Sequence, residues 1–189
     1  MSGEPKDDKP SQPMTPEIAL EMLDGATYEQ AAAAVAERVR VSKLARKVQG
    51  KPIEKWPDFV MQWDDNPSSF HFSQDGLGPG KLDLKEIGLF VARLSSLDAV
   101  LQKYNLRTPD EVWSVGDKFK AAKVIVHASE GRKFSPVWIA PTSGSEVCLV
   151  GGNHRLAIAR AKGVETLPLI YHKKDFTKLK PLFPELSSD

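Results

Sequence analysis

This sequence predicts an α+β protein: a small sheet with flanking helices and a helical amino-terminal extension. Three observations carry the prediction. Apolar residues recur at helical spacing through the first two thirds of the chain, several times behind a capping signal. Three short runs rich in β-branched and aromatic residues fall close together between residues 135 and 171. The second of these runs opens one strand, glycine turn and helix, Val147-Cys148-Leu149-Val150-Gly151-Gly152-Asn153-His154-Arg155-Leu156-Ala157-Ile158-Ala159-Arg160-Ala161-Lys162-Gly163. Helices gathered ahead of a cluster of strands suit the α+β class.

Residues 1–14 are polar, proline-rich and mixed in charge, the composition of a disordered tail. Residues 15–107 are expected to form the helical extension, with an aromatic loop segment inside it. Thr15 can cap a short helix, with Pro16 at its first position and Gly25 at its end. Thr27 and Gln30 form a capping box for a long helix to about residue 49. The second half of that helix is basic and holds Arg38, Arg40, Lys43, Arg46 and Lys47. These five are the candidate DNA-binding residues, because a basic helix can lie against nucleic-acid phosphates. The alternative is a solvated face whose cations are drawn to the negative end of the helix dipole.

Residues 56–80 hold Trp56, Phe59, Trp63, Phe70 and Phe72 among prolines and glycines. They can be stacking platforms for bases. They can equally pin a loop-rich segment to the core, where large apolar side chains usually go. Leu84, Ile87, Phe90, Val91, Leu94, Leu97 and Leu101 predict one helix over 82–104. Residues 108–189 are expected to form the domain that carries the sheet, packed with the extension or beside it. Thr108 and Glu111 form a capping box for a helix to about residue 128, with a break near Gly116 and a stop at Gly131. Strands are predicted over 135–140, 146–150 and 166–171, and Pro168 marks the last as an edge or bulged strand. The tail after residue 171 is basic and then broken by prolines.

The central stretch has the chemistry of an anion site. A helix start leaves N–H groups unpaired and carries partial positive charge. Gly151 and Gly152 allow a tight turn and a close approach, and Asn153 can cap the helix. His154 can bind phosphate or move a proton near neutral pH. Arg155 has the planar fork that suits phosphate oxygens. Gly151, Gly152, Asn153, His154 and Arg155 are therefore the candidate binding residues, for a nucleotide such as ATP or for a DNA phosphate.

Composition limits the alternatives. The chain has 189 residues, 41% of them hydrophobic and 27% charged, which suffices for a buried core. A net charge of +1 says nothing about partners. Cys148 is the single cysteine, so no intrachain disulfide forms, and its apolar neighbours mark it as a small buried hydrophobe. There is no leader pattern and no apolar run long enough to span a membrane, so a cytoplasmic protein is expected. No cluster of His, Cys or carboxylates has zinc spacing, and the metal is left open.

The order of helix, glycine, the Ser135-Pro136-Val137 strand, hairpin turn, strand, Gly-Gly-Asn-His-Arg, helix, glycine and Glu165-Thr166-Leu167-Pro168-Leu169-Ile170 resembles the ParB/sulfiredoxin superfamily. The likeness covers about residues 123–172. It implies an α+β fold in which the small sheet and the helix after the motif form a nucleotide or phosphate site. For the plasmid-encoded fertility-inhibition (oncogenic suppression) members it implies ATPase and DNase activity and inhibition of conjugative or T-DNA transfer; the alternatives are a binding protein that blocks a transfer component without chemistry and a small-molecule kinase of the same fold. The implied partners are DNA, ATP and a component of the transfer machinery, and Mg²⁺ is the implied ion. The superfamily places the loop before the Ser135 strand against the motif, so Glu130 becomes a candidate general base or Mg²⁺ holder beside His154 and Arg155. A solvated loop is the alternative for Glu130. Two departures narrow the reading. Sulfiredoxin has a catalytic cysteine where this chain has Asn153, and Cys148 lies too early to replace it, so sulfinic-acid repair is not expected. Partition proteins have an acidic residue and arginine in this turn, and the stretch after residue 171 does not read as their DNA-binding domain.

Overall fold

The computed structural model describes residues 13–74, 77, 78 and 80–187. All but two residues of the expected disordered tail at 1–14 lie outside that range. Two compact units divide the chain, Met1–Lys43 and Leu44–Asp189. The first holds helix α1, Pro16–Leu23, and most of helix α2, Tyr28–Val48. Thr15 Oγ1 accepts from Ile18 N at 3.3 Å, as an N-cap should. The Thr27–Gln30 box closes in both directions, at 2.9 and 3.3 Å. Arg38 pairs with Glu21, and the Arg40 guanidinium grips Glu37 one turn earlier at 2.6 and 2.9 Å.

The second unit is α+β. Its short strands are β1, Gln62–Trp63, and β3, Lys133–Phe134, which pair with each other in parallel. Its main sheet has four strands: β2 (Ile87–Arg93), β4 (Val137–Pro141), β5 (Val147–Gly151) and β6 (Thr166–His172), in the order β2-β6-β4-β5. The β4–β6 pair is parallel, and the other two pairs are antiparallel. Helices α3 (Leu94–Val100), α4 (Lys118–Ser129), α5 (Asn153–Ala161) and α6 (Phe176–Leu179) complete it. Phe90, Leu97, Val137, Ile139, Leu156, Leu169 and Phe183 belong to the main core, while Trp138 and Ile170 pack with Phe70 and Ile87 in a second cluster. The alternation of Val137 and Ile139 with Trp138 along β4 is the period of two that splits a sheet's side chains between its faces.

Several elements differ from the sequence expectation. Residues 82–104 do not form one helix. A 3₁₀ turn leads into β2, only Leu94–Val100 is α-helical, and a second 3₁₀ turn follows at Lys103–Asn105. The run Ile87-Gly88-Leu89-Phe90-Val91-Ala92 is a short apolar segment that periodicity alone cannot assign, and pairing with all of β6 makes it a strand. The Thr108–Glu111 box forms, but it caps only the 3₁₀ turn Pro109–Val112. Gly116, at φ +75°, separates that turn from α4, which Asp117 caps anew. Pro168 sits in an interior strand, not at an edge. The β4 ladder begins one residue later at Leu169, so its missing N–H falls outside that pairing. The proline-broken tail supplies core: Phe183 and Leu186 are fully buried. Cys148 is half-buried in β5.

Gly88 faces Tyr171 across the β2–β6 pair, and a Cβ there would run into the tyrosine ring. That ring is 6% exposed and stacked edge-on against Phe90, so it cannot swing aside. Gly88→Ala is expected to destabilise the fold by about 1–3 kcal/mol through overpacking. Urea unfolding of the variant beside the parent measures it.

Candidate functional site

The glycine turn is shaped first by neighbouring protein. Gly151 ends β5 and Gly152 follows at φ +94°, a left-handed conformation that suits glycine. A Cβ on Gly151 would collide with the carbonyl of Ser73, and one on Gly152 would come within 3.1 Å of the Arg155 guanidinium and 3.3 Å of Val137. An irregularity precedes the turn. Trp138 faces Gly151 while Ile139 faces Leu149, so Val150 is an extra, bulged residue in β5. The first intrahelical bond of α5 runs from Leu156 N to Gly152 O at 2.9 Å. Gly152 is therefore the N-cap. Asn153, expected to cap the helix, is its first helical residue and makes a long contact of 3.5 Å, accepting from Asn105 Nδ2. Asn105 is buried and also accepts from Leu149 N at 3.1 Å, which fixes β5 to the start of α5.

Arg155 braces this turn. Its guanidinium donates to the Ser135 carbonyl at 2.7 Å, to the Ser135 hydroxyl, and to the Ser73 carbonyl at 3.0 Å. It thus joins the segment before β4, the end of the 3₁₀ run Pro67–Ser73 and helix α5. The fork geometry expected to hold phosphate holds two backbone carbonyls here.

A cavity of about 850 Å³ opens at the turn, within the second unit. Gly151, Gly152, Asn153, His154 and Arg155 all line it, together with Arg107, Lys120, Arg132 and Lys133. Asp64 is the carboxylate of the lining. Arg107 Nη1 lies 3.4 Å from His154 Nδ1. Arginine can only donate, so Nδ1 accepts, and a neutral His154 then carries its proton on Nε2. Burial lowers the Arg107 pKa, and Glu111 works against that shift. Arg107 is held through its carbonyl, which accepts from Arg160 at 2.9 Å, and Arg160 is clamped in turn by Asp98. At the near end of α4, Asp117 accepts from Phe119 N at 2.8 Å and Lys120 N at 3.1 Å. The Lys120 backbone bond leads in holding its carboxyl below the usual value, with His154 and the Lys120 ammonium adding to it.

Glu130 is placed differently from the expectation. It caps the C-terminal end of α4, lies 3.5 Å from Arg132, which lines the cavity, and is not itself among the lining residues. Among the described residues no group of three or more His, Cys, Asp or Glu side chains is gathered for a metal. Arg38, Arg40, Lys43, Arg46 and Lys47 are all exposed on α2. At about 100° per residue, the last four share an arc of roughly 120° opposite buried Val41, Ala45 and Val48, and Arg38 falls outside it. No helix of the described residues is long and apolar enough to cross a membrane. Sequence reading missed Asn105, Arg107, Lys120, Ser73, Ser135 and Asp64. Only Asp64 carried a local signal, as the start of an Asp-Asp-Asn-Pro turn. Comparison with known proteins finds no matching family model, no matching curated protein and no matching solved structure.

Removing the brace leaves buried carbonyls without donors. Arg155→Ala is expected to cost about 1–3 kcal/mol, and Arg155→Lys to recover only part of it, because an ammonium lacks the fork. Thermal unfolding of both variants checks the order. Asp117 has a folded pKa below its unfolded one, so its contribution is present above the unfolded value and lost as pH falls through the folded one. Asp117→Ala is expected to lower Tm at pH 7, and the gap to the parent closes in acid, below the usual aspartate range.

Proposed function

We propose that the cavity binds the phosphate of a nucleotide or of DNA and that the chain is a phosphate-ester hydrolase with ATPase and DNase activity. One observation carries the reading: the start of α5 and the basic residues Arg107, Lys120, Arg132 and Lys133 line one cavity. First-turn N–H groups and the helix dipole favour an anion, and surrounding cations favour one of multiple charge. Hydrolysis forms a bond from water oxygen to phosphorus and breaks the bond to the leaving oxygen, which takes a proton. His154, whose Nδ1 accepts from Arg107, is the group at the turn that would exchange that proton. The backbone donors and cations neutralise charge that builds on the equatorial oxygens. Mg²⁺ would draw on Asp64 and on the substrate's own oxygens, since this ion commonly uses one or two carboxylates with phosphate, and it would supply charge neutralisation. The resemblance to the ParB/sulfiredoxin superfamily extends the proposal to a plasmid-encoded inhibitor of conjugative or T-DNA transfer, with the exposed basic arc of α2 as a DNA contact.

A second reading, a binding protein that blocks a component of the transfer machinery without chemistry, draws support from Glu130, which stands outside the cavity and leaves it without its expected base.

Phosphate release and plasmid nicking by the pure protein with Mg²⁺ separate the two. His154→Ala is expected to slow both by about 10²–10⁴-fold, the usual worth of a positioned acid or base, while Lys120→Glu weakens tripolyphosphate binding. Tripolyphosphate binding without turnover in the parent would support the second reading. Unchanged rates in His154→Ala would remove the histidine from the mechanism.

A further inference from the structure

The aromatic residues of 56–80 do not share one fate. Trp56 is 7% exposed and donates from its indole to the Lys51 carbonyl at 2.8 Å, with Trp113 edge-on against it. Phe70 is 3% exposed, inside the second core cluster. Phe72 is 70% exposed and lines the cation-walled cavity. Burial therefore explains Trp56 and Phe70 and leaves Phe72 without a packing role of that kind.

The backbone that carries Phe72 is fixed on both sides. Asn66 caps the 3₁₀ run by accepting from Ser68 N at 3.0 Å, and Phe70 anchors it in the core. One residue after Phe72, the Ser73 hydroxyl donates to the Pro136 carbonyl at 2.8 Å, and the Ser73 carbonyl accepts from Arg155. The same carbonyl sits against Gly151. The ring is thus held one residue from the contact that shapes the glycine turn. His71 supports it, with ring centroids 3.8 Å apart and a tilt of 41°.

We propose that Phe72 is a base-stacking platform, so that the cavity takes a nucleoside phosphate, with the nucleobase on Phe72 and the phosphate at the cationic wall. The inference rests on the phosphate reading above and adds the base to it. An aromatic face is sequence-tolerant because every base has a π-face. A platform already fixed in place loses little conformational freedom when the base arrives. A cavity of about 850 Å³ lies within the range of ligand pockets, roughly 300–1,000 Å³, and exceeds the needs of a lone phosphate. A free nucleotide and one unit of single-stranded DNA offer the same chemistry.

The test measures binding of ATP, tripolyphosphate and an eight-nucleotide oligothymidylate to the full chain, to Phe72→Leu and to Phe72→Trp. Circular dichroism monitors folding. Phe72→Leu is expected to weaken ATP or the oligonucleotide by roughly 5- to 100-fold, the range for loss of one stacked base. Its tripolyphosphate affinity stays within about twofold of the parent, and Phe72→Trp retains nucleotide binding. A larger loss for the oligonucleotide assigns the site to a strand, and a larger loss for ATP assigns it to a free nucleotide. The platform is overturned if Phe72→Leu binds both nucleotides as the parent does, or if it loses tripolyphosphate equally. Either result leaves the phosphate reading standing, provided the parent binds tripolyphosphate. If the parent binds none of the three probes, the phosphate reading itself fails and the platform with it.

Discussion

The guanidinium of Arg155 is the contact on which the site depends. Three segments far apart in sequence meet there: the end of the 67–73 run, the residues entering β4, and the first turn of α5. Carbonyls of this kind are costly to bury without donors, and one planar fork satisfies two of them. Because Gly151 and Gly152 have no side chains, the Ser73 carbonyl and the guanidinium can come this near. The arginine, the glycines and the serine carbonyl form one mechanical joint, and the cavity is the space beside it. Asn105 secures the joint from the other side by tying β5 to Asn153.

The electrostatics follow from that geometry. Arg107, Lys120, Arg132 and Lys133 come from three different parts of the chain, yet all face the cavity that His154 and Arg155 enter. A net charge of +1 hides this concentration. Like charges gathered in one concave space repel one another, and burial already opposes the charge on Arg107. An anionic occupant relieves both costs. Asp64 in the lining, Glu130 beside Arg132 and Asp117 beside Lys120 and His154 offset part of the positive charge.

Much of the fold was legible in the sequence, and the illegible part has identifiable causes. Local signals held where the deciding interaction is itself local: the Thr15 cap, the Thr27–Gln30 and Thr108–Glu111 boxes, the break at Gly116 and the strand-turn-helix at 147–161. They failed where a distant partner decides. The apolar residues of 87–92 fit a helical stripe as well as a strand, and only β6, some eighty positions later, makes them a strand. For the site, the turn residues were readable because glycine pairs and a helix start announce themselves. Arg107, Asn105 and Ser73 were not, since nothing beside them in sequence marks a long-range contact. Arg155 is expected from sequence to hold phosphate, and in the structure its fork also reaches the Ser73 and Ser135 carbonyls, whose nearness no local signal reveals. Glu130 was drawn from an implied loop placement, whereas α4 ends so as to pair it with Arg132.

The collision that forbids a side chain at Gly151 also has an evolutionary consequence. The barrier there is the Ser73 carbonyl, on the residue that follows Phe72. A lineage that replaced Gly151 would have to move the 67–74 segment outward, and Phe72 would travel with it. A lineage that reshaped the segment would release the turn in the same step. The glycine turn and the segment that carries Phe72 are therefore coupled sterically, and a replacement at one place is expected to need a compensating replacement at the other.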